Sequence, residues 1–512
     1  MNNFNSDEKK ASETVDNVVA GNKDDTDEWN DSDEAKESFR TELPSSRLIL
    51  AGLCAVLGSG FHFGFQISLI NPLSKILQQF MIESLERRYS IKISEIIGRL
   101  LFSSVAGILF IGAVIGATIV PSVMSRLGSR WSFVCITLTM TVGIFLASFS
   151  KHLDSAEMFI VARFIVGLCV GMATTVQGVF LTEISPLKCR GLMGTMSGLA
   201  TNIGFTIASA LGLPMLFGST DYWPLAFYME LIPCIIHLIM IIFVVVESPV
   251  YFLRRNQETN ARNSASLYYR NKASIEAELE RIKTELICGV ETSDWSTLYK
   301  NVPVRNALIL SMLLNLAVSF SGVMATSFFG VFLLAGIGFS TSGAAIANCF
   351  SSLSGTVGCL LSSYSIEKIG RRPLIIGSLV SLIIVNSGMM LVVWTFINYN
   401  TVWLGYVFLL LFNLFLIVFS VGIGPLAWFI STELTGPVCR VRVQSSSIST
   451  QYISSFICPI IYFPLQQLIG PFSFLLFIVP LTFTALYMYW RLPETKNRSV
   501  QSIREILAKN NK

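Results

Sequence analysis

Residues 366–374 read IEKIGRRPL, and the chain carries a shorter echo of this stretch at 126–130, RLGSR. The echo has company. EISPLKCR holds Glu183 and Arg190 at the spacing that ELTGPVCR gives Glu433 and Arg440, and VESP at 246–249 is answered by LPET at 492–495. Each pair lies roughly 245 residues apart, which predicts an internal duplication with both copies in the same orientation.

Between these loops the chain is apolar. Hydrophobic residues make up 52% and charged residues 14% of the 512, which excludes an ordinary soluble globular protein. Roughly twelve apolar runs of about 18 or more residues can be found. They centre near Ala55, Ile111, Phe145, Gly171, Thr206, Met240, Leu316, Leu353, Ile383, Leu410, Ile457 and Val479. Lipid offers backbone N–H and C=O groups no partner, so each run must close its own hydrogen bonds, and runs of this length without alternation do so as helices. The expected fold class is an all-α membrane protein.

Basic residues orient the spans. Arg126, Arg130, Lys188, Arg190, Lys368, Arg371, Arg372, Arg440, Arg442, Arg491, Lys496 and Arg498 fall in loops of one side, whereas opposite loops such as FGSTDYWP and INYNTVW are nearly free of them. Both termini are expected in the cytoplasm. Residues 1–46 are acidic and poor in apolar side chains, the composition of a disordered tail, and hold no apolar core of a signal peptide. The remaining divisions are a first six-helix half at 47–249, a cytoplasmic linker at 250–303, a second half at 304–490 and a tail at 491–512. In the linker, SIEAELERIKTELI places Ile275, Leu279, Ile282 and Leu286 at helical spacing, which predicts an amphipathic helix. Cys54, Cys135, Cys169, Cys349, Cys359 and Cys458 sit in apolar spans without metal-ligand spacing and are read as packing residues.

Charges at a membrane edge are costly unless paired. Arg126, Arg130, Glu183 and Arg190 in one half and Glu367, Arg371, Arg372, Glu433 and Arg440 in the other are therefore expected to form two matched lattices that gate the cytoplasmic side.

The motifs GSGFHFGFQISLINP (58–72), RLGSR, ARFIVGLCVG (162–171), LTEISPLKCRGLMGT (181–195), YWP (222–224), VESPVYFL (246–253), IEKIGRRPL, GIGPLAWFISTEL (422–434) and PETKNRS (493–499) occur in an order that resembles the sugar porters of the major facilitator superfamily, in particular the animal facilitative hexose transporters. The resemblance spans about 47–500. It implies the major facilitator fold, twelve transmembrane helices in two six-helix halves, a central site and alternating access. It implies no enzyme activity, no cofactor and no metal. The implied partners are the lipid bilayer and a small-molecule substrate, a sugar by family default, with no nucleic acid; the plasma membrane is the expected location.

The same resemblance places the family's sugar-binding amides at Gly198, Val318, Ser319, Met324 and Gly355, so most are absent, while its tryptophan survives as Trp428. The seventh span reads VSFSGVMATSFFG at 318–330 and keeps the SG dipeptide without the amides. A buried hydroxyl without a partner costs roughly 1–3 kcal/mol. The substrate-binding candidates are accordingly Trp428, Gln451, Asn315, Ser319, Gln66 and Phe328. Asn315 and Ser319 are one turn apart and can share a face. Gln66 stands where proton-driven relatives have an acid, and a glutamine cannot cycle a proton. No Asp or Glu of the spans is nominated near the cavity, and His62 is the one titratable group of interest there, so passive transport is expected. Gly422, Gly424 and Pro425 interrupt the tenth span and are read as a hinge. The other readings of the chain are a non-transporting nutrient sensor and a carrier of a polyol or an organic anion.

Overall fold

Ser45 starts the first helix by accepting a hydrogen bond from Leu48 N on its side-chain oxygen at 3.1 Å, which satisfies one of the free amides of a helix start. The computed structural model describes residues 44–512 apart from 91, 270–271, 288–294, 400 and 510–512. The expected acidic tail thus lies almost wholly outside the described residues. Ser45–Lys512 form one compact unit, and every regular element among the described residues is helical.

The first half contains α1 (Ser46–Leu57), α2 (Gly60–Tyr89), α3 (Glu95–Phe149), α4 (Ala156–Ile184), α5 (Arg190–Leu211), α6 (Trp223–Tyr228) and α7 (Leu231–Phe243). The linker follows as α8 (Pro249–Arg254), α9 (Glu258–Tyr268), α10 (Lys272–Ile287) and α11 (Trp295–Lys300). In the second half α12 (Val302–Val318) passes through a π-helical turn, Ser319–Val323, into α13 (Met324–Ala335). After it come α14 (Thr341–Ile369), α15 (Arg371–Tyr399), α16 (Trp403–Val421), α17 (Ile423–Ala427), α18 (Ile430–Leu434), α19 (Pro437–Ile469), a 3₁₀ turn at Gly470–Phe474, α20 (Leu475–Arg491) and α21 (Val500–Lys509).

Nine stretches among the described residues are long and apolar enough to cross a bilayer, so the expected twelve spans are not matched one for one. Two stretches, Gly107–Phe149 and Pro437–Arg491, hold an internal break. The first folds back at Gly128, whose backbone is left-handed (φ 78°). α5 falls outside the nine because Gly, Ser, Thr and Asn interrupt its apolar residues.

Small residues let backbones touch. A Cβ added at Gly116, Gly167 or Gly171 would lie 2.0 Å from the carbonyl oxygen of Leu168, Leu109 or Ala113 respectively, so α3 and α4 meet main chain to main chain in the manner of small-xxx-small membrane pairs. In the linker, α10 buries Ile275, Leu279 and Ile282 and packs Leu286 against the core, as its periodicity predicts. On the same helix Arg281 pairs with both Glu278 and Glu285.

Candidate functional site

Between the halves lies a cavity of about 60 Å³, room for roughly four to six waters at 10–15 Å³ each. Trp428, Phe63, Phe205, Phe412, Phe419 and Met324 give it apolar walls, and Ser68, Thr201, Asn202, Thr326, Ser327, Asn348, Ser352 and Gln451 give it polar ones. Among the described residues no charged side chain lines it. Most of its hydroxyls donate to backbone of their own helix, Thr201 to Ser197 O at 2.9 Å and Thr326 to Val323 O at 2.9 Å, which leaves their oxygens as acceptors. Gln451 Oε1 is buried and has no hydrogen-bond partner among the described residues. The Trp428 ring stands edge-on to Phe63 with centroids 5.2 Å apart, and its carbonyl accepts from Gln444 Nε2 at 2.7 Å.

Of the six nominated binding residues, Trp428 and Gln451 line this cavity and four do not. Asn315 and Ser319 do share a face, but it turns into packed helices. Asn315 Nδ2 donates to Ser311 O at 2.8 Å, and Ser319 Oγ donates to Gln451 O at 3.0 Å and lies 2.8 Å from Ser455 Oγ. Phe328 packs edge-on against Phe110. Gln66 is held in a buried polar cluster of the first half.

Sequence reasoning also leaves out two asparagines on the wall. A Cβ at Gly355 would sit 2.3 Å from Asn202 Oδ1, and one at Gly330 would sit 2.3 Å from Asn348 Oδ1. Asn202, from α5, thus fills the space above Gly355, the position on α14 at which the resemblance places a family amide that this sequence lacks. The amide is present, supplied from the opposite half. Similarly Gly198 is closed over by Pro425, whose Cβ would meet an added Cβ at 2.6 Å. No sequence spacing signals this exchange, because it joins residues of two halves.

The cluster around Gln66 contains a second omission, Glu230, which is fully buried between α6 and α7. His62 Nδ1 lies 2.9 Å from Glu230 Oε1, Gln66 Nε2 donates to Glu230 Oε2, and Arg163 Nη1 donates to Gln66 O at 3.2 Å and to Gln66 Oε1. Cys234 Sγ lies 3.6 Å from His62 Nε2. Arg163 Nε and Nη2 have no hydrogen-bond partner among the described residues. Glu230 does not line the cavity, but it is an acid of the spans that the sequence reading did not name, and it stands beside the very glutamine used to argue against proton coupling. In the sequence YMELIP it reads as an edge charge.

At the linker end the repeated loops are built alike. Gly128 and Gly370 both have left-handed backbone, φ 78° and 100°, a conformation that favours glycine. Glu247 accepts from Ser129 N and Arg130 N at 3.1 and 2.9 Å, and Glu494 accepts from Arg371 N and Arg372 N at 3.0 and 3.1 Å. A Cβ at either glycine would collide with that glutamate. Ser248 Oγ donates to Glu183 and Thr495 Oγ1 donates to Glu433, each at 2.6 Å. Arg130 Nη2 donates to Ile242 O at 2.6 Å and Arg372 Nη2 to Tyr489 O at 2.8 Å. The repeated VESP and LPET motifs carried this signal, yet neither Glu247 nor Glu494 was nominated.

The expected pair of matched lattices is only half formed. In the second half Arg371 bridges Glu367 and Glu433, both at 3.2 Å. In the first half no ion pair among the described residues uses Arg126, Arg130 or Glu183. Arg126 is met at its carbonyl by Arg255 Nη2, Arg440 Nε donates to Thr432 O at 3.1 Å, and Arg190 Nε has no hydrogen-bond partner among the described residues. The reason is local: Ser129 stands where the second half has Arg371. Glu367 reaches across the halves to accept from Leu192 N at 3.1 Å, and Thr182 and Thr432 meet at 2.6 Å beside it.

At the expected hinge, Gly422 has non-helical backbone between α16 and α17. A Cβ there would lie 2.1 Å from the Ser378 side chain, and Gly424 and Pro425 line the cavity.

The described cysteines are free thiols.

Residues 51–507 match the family described as "Sugar (and other) transporter". The chain is 27% identical over 471 residues to solute carrier family 2, facilitated glucose transporter member 3 of Ovis aries, covering 90% of this chain and 93% of that one. It is 28% identical over 466 residues to member 1 of Gallus gallus, with 90% and 93% covered. Among solved structures it resembles the major facilitator superfamily proton:xylose symporter XylE bound to 6-bromo-6-deoxy-D-glucose, with TM-score 0.77, 20% identity, and 90% and 99% of the chains covered. An inward-open XylE from E. coli matches with TM-score 0.66, 19% identity and the same coverage.

Proposed function

This chain belongs to the sugar (and other) transporter family, and from that premise we propose that it carries a small, uncharged polar solute, by family default a hexose, down its gradient by alternating access. It is a multi-pass integral membrane protein with the major facilitator fold, and a transporter rather than an enzyme. The observation that carries the finer reading is the cavity wall: amides and hydroxyls beside Trp428, a buried amide oxygen of Gln451 without a partner and, among the described residues, no charged group. Such a wall offers hydrogen bonds to hydroxyls and an apolar face to a ring, and nothing to neutralise an organic anion. The cavity is too small for the twelve heavy atoms of a hexose, so the halves 47–249 and 304–490 must part to admit one. Breaking the contacts of Arg371 and Glu367 opens the linker end, and the interrupted backbone at Gly422–Pro425 absorbs the motion. We place the linker and both termini in the cytoplasm and the chain in the plasma membrane.

A second reading, proton-linked transport, is favoured by one observation. Glu230, buried against His62 and Gln66, is an ionisable group inside a membrane bundle, and such groups mark proton relays. Uptake of a labelled solute panel into proteoliposomes, with and without an imposed proton gradient, separates the two. Equilibration without accumulation is expected. Gradient-driven accumulation that Glu230→Gln abolishes would replace the first reading by the second, and absence of flux for every solute would overturn both in favour of a sensor.

A further inference from the structure

At the linker end, away from the transport cavity, lies a second cavity of about 190 Å³, bounded by the first turn of α12, the last turn of α20 and the chain's final helix. Its lining is Arg305, Asn306, Ile309, Leu310, Tyr487, Arg491 and Leu507. The two guanidinium groups come from different helices, and among the described residues no carboxylate lines the space. Arg305 forms no ion pair among the described residues. Asn306 Nδ2 donates to Leu507 O at 2.8 Å and so fixes α21 as a roof.

We propose that this cavity holds the phosphate of an anionic phospholipid. Two arginines from two elements suit a phosphodiester, since guanidinium matches phosphate geometry with paired N–H donors. A lipid is favoured over a free anion by the outer walls. Ile309 is 37% and Trp490, beside Arg491, 75% exposed, so α12 and α20 present apolar and aromatic surface outward, where acyl chains and the headgroup boundary lie. Basic pockets between spanning helices take anionic headgroups on this physical basis. A lipid seated there ties α12, which leads into the π-helical turn of the seventh span, to α20 and α21. The proposal does not depend on which solute is carried.

The test uses the purified full chain in detergent, with the thermal unfolding midpoint read against added dioctanoyl phosphatidylserine, dioctanoyl phosphatidylcholine or inorganic phosphate. Phosphatidylserine is expected to raise the midpoint, phosphatidylcholine and phosphate not. The apparent affinity should fall about fivefold for each arginine replaced, in Arg305→Gln and Arg491→Gln, while Arg305→Lys retains most of it and Arg87→Gln, at the far end, retains all. Native mass spectrometry of retained lipid gives the same comparison should a variant unfold early. Equal shifts from both lipids, or an undiminished phosphatidylserine shift in the doubly substituted chain, would overturn the site; a shift produced by phosphate alone would overturn the lipid assignment.

Discussion

Ser129 and Arg371 occupy the same place in the two repeated loops, each donating its backbone N–H to the first oxygen of a glutamate, at 3.1 Å to Glu247 and 3.0 Å to Glu494. Only Arg371 has a side chain that reaches on to a second acid, Glu433 at 3.2 Å. Beside Ser129 remains a cavity of about 220 Å³ lined by Ser125, Glu183, Tyr251, Arg254 and Arg442. The linker end is thus latched from one half.

Restoring the missing group should tighten that latch. Ser129→Arg is expected to pair with Glu183 and slow solute exchange by about fivefold, the equivalent of ~1 kcal/mol for an ion pair near the surface. Conversely Arg371→Ala leaves Glu433 buried without its ion-pair partner, a change that typically costs about 3–5 kcal/mol. Exchange rates in proteoliposomes and unfolding midpoints check both. A Ser129→Arg chain that exchanges solute as fast as the parent would refute the one-sided latch.

Gln451→Leu removes a fully buried amide oxygen of the cavity wall that lacks a hydrogen-bond partner among the described residues. If it holds a solute hydroxyl, the Michaelis constant for transport should rise about tenfold or more, in line with roughly 1–3 kcal/mol for an unmet hydroxyl, with little change in unfolding midpoint. Trp428→Ala should impair transport of the same solute. Unaltered uptake kinetics in both variants would remove this wall from the binding site.

Gly171→Ala should be disproportionately destabilising for a single methyl. The new Cβ would meet Ala113 O at 2.0 Å, and neither backbone can yield without separating α3 from α4. Overpacking of this kind costs about 1–3 kcal/mol or more, so a fall in unfolding midpoint is expected, whereas Gly377→Ala, with nothing within 4 Å, should leave it unchanged.

Glu247 gives a pH signature. Burial pushes its carboxyl above the ordinary range, against the N–H groups of Arg130, Ser248 and Ser129 that pull it down. With a folded value above the unfolded one, the folded chain binds the proton more tightly, so its contribution to stability is complete below the unfolded value and is lost as pH rises through the folded one. Unfolding midpoints of the parent should therefore decline across that window, and Glu247→Gln should flatten the decline. An identical slope in the variant would show that other groups set it.

Hydropathy, charge placement and the spacing of repeated motifs determined the membrane class, the helical spans and the paired loops, because each of these is written along the chain itself: a run of apolar residues must close its own hydrogen bonds in lipid, and the paired loops repeat their motifs at one spacing. The amphipathic stripe of α10 was legible for the same reason. Which side chains face the cavity was not. Asn315 and Ser319 share a helical face as their spacing requires, but the rotation of α12 against α19 turns that face inward to the bundle. Asn202 fills the space over Gly355 only because α5 and α14 meet across the halves. Glu230, between α6 and α7, joins His62 and Gln66 of α2 and, through Gln66, Arg163 of α4. Helix rotation and contact between distant spans are set by packing over the whole bundle, and that packing, which no local pattern records, decided where the polar groups of the site came from.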